Sequence, residues 1–319
     1  MLEPEIAAFV ARADEIYSSD KSSLTTPEQR ALYERFAATF TPALPRDVSV
    51  HNAKFAASAG HSLRLRLYQR NGGGGSPGTL LYFHGGGFVV GSLDSHELVT
   101  ARLAADTGLC VIAVDYRLAP EHPAPAAHDD CLDVSLAALE GRLPYPALPG
   151  PLLLAGDSAG ANLAASVAMR LRDRDIEGVE GVALAYPMLA PEPQLPARET
   201  EANAPMLTLA GVRMYSQLYW GDVPPPAWTV PIEASRFDGL PPILAIGAEH
   251  DPLRDDARVF AERIQGAGGD VQSWIAPGLV HGCWRALETS PGVQEMHTRI
   301  CRFLLDAAGR RCGRSSATS

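Results

Sequence analysis

The pattern of hydrophobic and polar positions changes near residue 78. Beyond it, short apolar runs rich in β-favouring residues alternate with stretches whose apolar residues recur at helical spacing. This alternation is typical of βαβ units that build a mostly parallel sheet. The predicted strands are Thr79–Phe83, Cys110–Val114, Leu152–Ala155, Val182–Tyr186, Ile243–Ile246 and Val271–Ile275. The predicted helices between them are Glu97–Asp106, Asp129–Glu140, Ala161–Asp173 and Arg254–Gln265, and a last helix carries Val293, Met296, Ile300, Phe303 and Leu304 on one face.

Two segments do not follow this alternation. The first, up to Pro45, has apolar residues at helical spacing from Ile6 to Tyr17 and a second helical stretch around Pro27–Phe40. The other, Pro191–Pro231, is rich in proline and concentrates apolar residues in an insertion between two strands. Such an insertion is more typical of a lid over a pocket than of a loop in water. We expect both segments to form a helical cap.

These patterns divide the chain into a cap and a core. In chain order, the predicted parts are N-terminal cap helices (1–45), the first part of the core (46–190), a cap insertion (191–231), the second part of the core (232–308) and a flexible tail (309–319). The glycine-rich stretch Asn71–Gly78 lacks the Lys-Ser or Lys-Thr of a phosphate-binding loop. It is therefore predicted to be a flexible turn between early strands.

The segment Gly156–Gly160 has the pattern G-x-S-x-G. The predicted strand Leu152–Ala155 precedes it and a helix of small residues follows, a setting in which a sharp turn exposes a serine hydroxyl at the edge of a sheet. Glycines flank the turn because a Cβ there would collide with the neighbouring strand or helix. A tight turn with an incidental serine is the alternative interpretation, but the context favours Ser158 as a nucleophile.

A loop with the sequence H-G-G-G-F, His84–Phe88, directly follows the predicted strand Thr79–Phe83. Three glycines can fold back toward the serine and direct backbone N–H groups inward, as in the oxyanion hole of lipases and esterases. We assign Gly86 and Gly87 as oxyanion donors, joined by the N–H of Ala159. His84 is expected to anchor the loop, and a purely structural glycine turn is the alternative.

A serine hydroxyl is a weak nucleophile at neutral pH, so it requires a base and a carboxylate that orients that base. In this setting the residues follow the chain order Ser, then Asp or Glu, then His. Asp251 follows the predicted strand Ile243–Ile246, and His281 follows Val271–Ile275. Functional groups of an open α/β sheet lie at such carboxyl ends. We therefore predict a triad of Ser158, His281 and Asp251.

Neighbouring residues compete for these roles. His250 is the alternative base, and Glu249, Asp255 and Asp256 are alternative carboxylates close to Asp251. Asp255 and Asp256 are expected instead to cap or solvate the helix that follows them.

The segment Asp115–Pro123 could be mistaken for a metal or acid–base cluster. It follows a strand and is rich in proline, which favours a structural role with Arg117 paired to an acidic neighbour.

Together these motifs resemble the bacterial hormone-sensitive-lipase family of esterases. The segments that carry the resemblance are His84–Phe88, Asp115–Pro123, Gly156–Gly160, Tyr186-Pro187, Asp251–Asp255 and His281-Gly282. The resemblance implies an α/β-hydrolase fold with a mostly parallel central sheet flanked by helices and a helical cap. It also implies hydrolysis of short-chain acyl esters, no cofactor, and often a homodimer, and it supports Gly86, Gly87 and Ala159 as oxyanion donors. The chain departs from the family at Cys283-Trp284, where Phe or Tyr is more usual, so the pocket near His281 is expected to differ.

Composition mainly excludes other classes of function. The chain has 319 residues, is 46% hydrophobic and 20% charged, and carries a formal net charge of −10 without a stripe of Lys and Arg, which argues against nucleic acid as a partner. Its start is acidic where a signal peptide is basic, and no apolar run reaches the ~20 residues of a membrane span, so the cytoplasm is the expected location. Five widely spaced cysteines without a C-x-x-C pair predict buried free thiols and no zinc site.

Two alternatives to an esterase stay open at this point. An amidase or deacetylase would use the same triad, because the sequence does not distinguish an amine from an alcohol as the leaving group. A non-catalytic ligand-binding protein could retain the fold, although such a protein usually loses its serine or histidine.

Overall fold

One mixed sheet of eight strands organises the computed structural model, which describes residues 1–17, 24–72, 75–146 and 148–315, with side chains up to residue 309. The spatial order of the strands is β1-β2-β4-β3-β5-β6-β7-β8. Their bounds are β1 Val48–Ala56, β2 Ser62–Arg70, β3 Thr79–Phe83, β4 Cys110–Asp115, β5 Leu152–Asp157, β6 Val179–Ala185, β7 Ile243–His250 and β8 Val271–Val280.

The strands from β3 to β8 are parallel, whereas β1 and β2 form an antiparallel pair at one edge of the sheet, with β2 also antiparallel to β4. All residues of β3 and β5 are buried, as expected for parallel strands covered on both faces. The bounds of the edge strands were not predicted. In β2, the buried Leu63 and Leu65 alternate with the exposed Arg64, a period-two pattern that marks a strand.

Helices cover both faces of the sheet. Their bounds are α1 Pro4–Ile16, α2 Thr26–Phe40, α3 Glu97–Thr107, α4 Ala126–Leu139, α5 Ala159–Arg172, α6 Ala197–Thr200, α7 Leu209–Trp220, α8 Arg254–Gly266 and α9 Pro291–Ser315. Successive side chains of a strand point to opposite faces, so Leu80 and Tyr82 pack in one core cluster with α3 and α9. Leu81 and Phe83 pack in the other, with α4, α5 and α8.

The predicted strands and helices of the core are confirmed, with differences at their ends. The predicted strand Val182–Tyr186 lies instead at Val179–Ala185, because Tyr186 turns into a left-handed conformation with φ 34°. The last helix continues to Ser315, into the segment predicted to be a flexible tail, and residues 316–319 lie outside the described part of the chain. Gly73 and Gly74, in the predicted flexible turn, also lie outside it.

Two further predictions concern the cysteines and the possibility of a membrane span. Four of the five cysteines, at 110, 131, 283 and 301, are buried free thiols, and the side chain of the fifth lies outside the described residues. None of the described helices is both long enough and apolar enough to cross a bilayer.

Candidate active site

Ser158 occupies the sharp turn between β5 and α5. Its φ of 53° is a left-handed conformation that non-glycine residues rarely adopt. The flanking glycines have no side chain for a steric reason: a Cβ on Gly156 would collide with the carbonyl of Gly160, and a Cβ on Gly160 would collide with the carbonyl oxygen of Phe83. The strained turn therefore fixes where the Ser158 hydroxyl stands.

The structure brings the three predicted triad residues together. His281 Nε2 lies 2.9 Å from Ser158 Oγ, and His281 Nδ1 lies 2.7 Å from Asp251 Oδ2. Asp251 is fully buried, and its other oxygen accepts a hydrogen bond from the N–H of Leu253 at 2.9 Å. Both imidazole nitrogens are thereby engaged, in the arrangement that lets an imidazole take a proton from a hydroxyl while a carboxylate holds it in place.

His281 lies on the loop that follows β8, and the loop geometry orients its ring. Gly282 has φ 69°, so the chain turns sharply just after the histidine. The ring of Tyr186, from the end of β6, packs edge-on against His281 with centroids 5.0 Å apart. Strand ends that are distant in sequence thus position the base from two sides.

The glycine loop of residues 84–88 approaches the serine as predicted. Gly86 and Gly87 have φ of 119° and 59° and line the same cavity as Ser158. A Cβ on Gly86 would collide with the carbonyl of Val90, and one on Gly87 would collide with the ring of Tyr215. None of the backbone hydrogen bonds among the described residues uses the N–H of Gly86 or Gly87.

Ala159, the third predicted donor, is the first residue of α5. Backbone N–H groups in the first turn of a helix have no acceptor within the helix, so they are available to an anion. Ala159 itself is fully buried and does not line the cavity, although its neighbour Ser158 does.

Asp157, the residue before the serine, ties the glycine loop to β5, a role that the sequence analysis did not assign. One oxygen accepts hydrogen bonds from the N–H of Gly85 at 2.9 Å and from the Tyr82 hydroxyl at 2.6 Å, and His96 Nε2 lies 3.5 Å from the other. Burial opposes ionisation of this carboxyl, but His96 and the hydrogen bonds keep its pKa below the ordinary value. Its position directly before the serine, the first x of G-x-S-x-G, could have suggested this role.

His84 anchors the loop, as predicted. Its Nδ1 lies 2.8 Å from the carbonyl oxygen of Gly85, its own carbonyl accepts a hydrogen bond from the Tyr116 hydroxyl at 2.6 Å, and its ring stacks on that of Tyr116. Burial, with His96 nearby, lowers the pKa of His84 to about 3. The predicted pairing of Arg117 is also confirmed, since Arg117 and Asp130 form an ion pair at 2.8 Å.

The competing residues beside Asp251 have other partners. His250 lies 3.5 Å from both Glu201 and Glu249. The expectation that Asp255 and Asp256 cap or solvate the following helix is wrong. Both are buried and accept hydrogen bonds from a segment distant in sequence, Asp256 from the N–H groups of residues 189 and 194, and Asp255 from that of residue 197 at the start of α6.

Asp256 is the more deeply enclosed of the two. Burial raises its pKa to about 8 although two backbone N–H groups act in the opposite direction. The physical reason for the wrong prediction is that a sequence pattern does not show which distant backbone donors come to rest over a helix N-terminus.

A cavity of about 140 Å³ opens onto the Ser158 hydroxyl and His281. Its lining is largely apolar and comes from the N-terminal segment, the insertion and loops of the core: Tyr17, Leu24, Gln29, Leu32, Tyr33, Phe36, Gly86, Gly87, Val90, Asp157, Ser158, Met188, Met206, Leu207, Val212, Met214, Tyr215, Leu253, His281, Gly282 and Arg285. The N-terminal segment and the insertion, both predicted as cap, thus each contribute to this wall.

Trp220 and Met214 both belong to the insertion predicted to form a lid over a pocket, but only Met214 lines the cavity. Trp220 is 5% exposed, packs edge-on against Phe88, and donates a hydrogen bond from Nε1 to Thr229 Oγ1 at 2.9 Å. The helical period explains the difference, because Met214 and Trp220 fall on different faces of α7. Within the described ranges, no group of three or more His, Cys, Asp or Glu side chains is arranged to hold a metal ion.

Known proteins resemble this chain in sequence and in structure. The sequence profile of the alpha/beta hydrolase fold family matches residues 80–285, which include the glycine loop and all three residues of the hydrogen-bonded chain. The chain is 39% identical over 207 residues to esterase LipI of Mycobacterium tuberculosis, an alignment that covers 64% of this chain and 65% of LipI. It thus spans slightly less than two thirds of the length of that relative.

Two further proteins resemble almost the whole chain. Ethyl acetate hydrolase of Pseudomonas putida is 30% identical over 295 residues, with 89% of this chain and 92% of that protein covered. The crystal structure of an esterase from the bacterial hormone-sensitive lipase family superposes with a TM-score of 0.85 at 26% identity, covering 97% of this chain and 99% of that one.

Proposed function

From the premise that the chain belongs to the α/β-hydrolase fold family, among its bacterial hormone-sensitive-lipase-like esterases, we propose that it hydrolyses carboxylic esters with Ser158 as nucleophile. The observation that carries the proposal is the hydrogen-bonded chain from Ser158 Oγ through His281 to Asp251, with distances of 2.9 and 2.7 Å. Two relatives of the chain are named esterase LipI and ethyl acetate hydrolase, and these names support an ester as the substrate.

In the proposed first step, Ser158 Oγ attacks the ester carbonyl carbon while His281 Nε2 takes the hydroxyl proton. The carbonyl oxygen becomes an oxyanion, which the N–H groups of Gly86, Gly87 and Ala159 stabilise. The imidazolium then gives its proton to the leaving alkoxide, the bond from carbon to oxygen breaks, and the acyl group stays on the serine. Asp251 keeps the imidazole oriented and favours its cationic form throughout.

In the second step, a water molecule replaces the alcohol. His281 takes a proton from that water as it attacks the acyl-serine ester, and the oxyanion forms again in the same place. When the intermediate collapses, the proton returns to Ser158 Oγ and a carboxylic acid leaves. The enzyme ends in its starting state, so the cycle needs no cofactor.

Short acyl chains are the proposed substrates of this reaction. The cavity volume of about 140 Å³ is small, and its largely apolar lining suits a short acyl chain. A series of p-nitrophenyl esters from acetate to octanoate tests the proposal, with kcat/KM expected to be highest at the short end. The highest kcat/KM on octanoate would contradict it.

Replacing the nucleophile tests the mechanism directly. Ser158→Ala should lower kcat on p-nitrophenyl butyrate by about 10⁶-fold, because the attacking atom is lost. Ser166→Ala is the matched control, since Ser166 lies on the same helix and its hydroxyl bonds the carbonyl of Trp228. Substantial turnover by folded Ser158→Ala protein would refute the assignment, as would failure of a fluorophosphonate to label Ser158 in the unaltered protein.

A homodimer stays a prediction, which the molecular mass in solution would test.

A further inference from the structure

A buried cation lies in the wall of the active-site cavity. Arg285 belongs to the short 3-10 helix Cys283–Ala286, which begins two residues after His281. Its side chain is only 6% exposed, and it lines the same cavity as Ser158. Cys283 and Trp284, where the chain departs from the family pattern, are both buried away from the cavity, and the residue after them reaches it.

Arg285 is not neutralised by direct pairing. Among the described residues it forms no ion pair with a carboxylate, and its contacts are hydrogen bonds to the Ser95 carbonyl and to the Tyr33 hydroxyl, the latter at 2.9 Å. Its guanidinium also lies over the rings of Tyr33 and Phe36, with 5.1 and 5.4 Å to their centroids. A buried charge is costly without a partner, so this arrangement requires an explanation.

Asp157 is the carboxylate that shares the cavity with Arg285, but its hydrogen bonds go elsewhere. It accepts from Tyr82 and Gly85 and lies beside His96. Burial by itself would lower the pKa of Arg285, whereas Tyr33 and Asp157 raise it above the ordinary value, so the guanidinium stays cationic. Asp157 thus stabilises the charge from a distance and leaves the hydrogen-bonding capacity of Arg285 free.

The guanidinium of Arg285 has hydrogen-bond donors that are not used within the described part of the protein. A guanidinium has five N–H donors in a planar fork, and the hydrogen bonds to Ser95 and Tyr33 use two of them. The other donors have no acceptor among the described residues. A planar fork of this kind matches a carboxylate, which it binds through two parallel hydrogen bonds. The Tyr33 hydroxyl, which accepts from Arg285, can donate its own proton to the same carboxylate.

We infer that Arg285 and Tyr33 form a carboxylate-binding subsite, and that the preferred substrates are esters that carry a second, free carboxylate, such as hemiesters of dicarboxylic acids. The inference rests on the proposed esterase function and specifies its substrate class. A free carboxylate accepts hydrogen bonds from the donors of Arg285 that have no other acceptor among the described residues, while the ester end reaches Ser158.

Matched substrates test this inference. Monomethyl succinate, glutarate and adipate are compared with the same methyl esters in which a carboxamide replaces the free carboxylate, so that shape is kept and charge is lost. The acetate esters of short hydroxy acids and their amides cover a carboxylate on the alcohol side. For at least one pair, kcat/KM should be about tenfold or more higher for the carboxylate, as expected for a charge-assisted hydrogen bond. Equal values, or a preference for the amide in every pair, would overturn the inference.

Variants of Arg285 test whether this residue causes the preference for a carboxylate. Arg285→Met should abolish the preference for carboxylate and Arg285→Lys should retain part of it, because the ammonium keeps the charge and loses the fork. Arg66→Met is the matched control, since Arg66 is a part-buried arginine paired with Asp94 and Glu97 outside the cavity. A purely structural role for Arg285 predicts lower stability with an unchanged ratio of carboxylate to amide. That result would also overturn the inference.

A binding measurement separates this inference from the proposed reaction. Calorimetric titration of monomethyl adipate and of its amide into the Ser158→Ala protein needs neither turnover nor a folded Arg285 variant. Tighter binding of the carboxylate, weakened by salt, would support the subsite even if Ser158 proved not to be the nucleophile. Equal binding of the two compounds would reject the subsite while leaving the proposed esterase mechanism intact.

Discussion

The two walls of the cavity are built in different ways. The sheet wall consists of the loops at the carboxyl ends of β3, β5, β7 and β8, and the residues proposed for chemistry lie there in a hydrogen-bonded chain. The helix wall comes from α2 and α7, and its contribution is side chains such as Phe36, Val212 and Met214, which line the cavity by packing. The first wall holds its reacting groups by backbone geometry and directed hydrogen bonds, whereas the second borders the cavity mainly with apolar side chains.

This difference teaches where precision is needed. Reacting groups must be held at hydrogen-bond distance, and a shift of about 1 Å there costs about 10²-fold in rate. An acyl chain, by contrast, is bound mainly through non-directional burial, so a packed helical wall tolerates changes of shape. Substitutions of the reacting groups in the sheet wall should therefore affect rate, and substitutions of apolar side chains in the helix wall should affect selectivity.

Among substitutions that keep the nucleophile, the largest effect is expected at Asp251. Asp251→Asn would keep the shape of the sheet wall but place a donor where His281 Nδ1–H needs an acceptor, and kcat should fall by about 10⁴-fold. Steady-state kinetics on p-nitrophenyl butyrate, with circular dichroism as a check of folding, measure it. Asp129→Asn, at an exposed ion pair with Arg170, is the control. A loss below about tenfold would show that another group orients the base.

A smaller loss of rate is expected at Gly87. Gly87→Ala would place a Cβ against the ring of Tyr215, where the two walls meet, and displace an oxyanion donor. Losing one such donor costs about 10²- to 10³-fold in kcat. Gly141→Ala is the matched control, because Gly141 has a similar φ of 66° with open space around it. Removing the ring as well, in Gly87→Ala/Tyr215→Ala, should restore part of the rate, and no recovery would argue against a collision as the cause.

The smallest effect on rate is expected within α7, and the kind of effect differs between the two faces of this helix. Met214→Ala enlarges the helix wall, so the ratio of kcat/KM for octanoate over acetate esters should rise by about tenfold, the usual scale for a few buried methylenes. Trp220→Ala should leave that ratio unchanged and lower the free energy of unfolding by about 3–5 kcal/mol, because this side chain packs in the core. The ester series and urea denaturation measure both. The opposite assignment of effects would show that the cavity extends to Trp220.

Most of the sheet wall could be predicted from the sequence, because the positions of its functional groups follow from local backbone geometry. G-x-S-x-G after a buried strand, three glycines after another, and Asp251 and His281 after later strands each occupy a position that backbone geometry dictates. The comparisons confirm the fold and the resemblance to hormone-sensitive-lipase-like esterases, while the roles of the triad and of the oxyanion donors stay proposals. The division into cap and core also stays a prediction.

The parts that sequence reasoning missed depend on contacts between distant segments. From the sequence, Asp256 was expected to cap or solvate a helix, but the backbone N–H groups of residues 189 and 194 donate hydrogen bonds to it. Trp220 belongs to an apolar stretch, and the sequence pattern does not specify which of its residues face the cavity. Arg285 directly follows Cys283-Trp284, and nothing in the local sequence indicates that its side chain lines the cavity.

By itself, then, the sequence determined the alternation of strands and helices and the residues at the strand ends, because periodicity and turn sterics act over a few neighbouring residues. Only the tertiary structure decided that Ser158, His281 and Asp251 meet, which face of α7 borders the cavity, and that Arg285 is buried beside Tyr33 without a carboxylate partner among the described residues. Those outcomes depend on packing between segments far apart in the chain, and packing is a property of the whole fold.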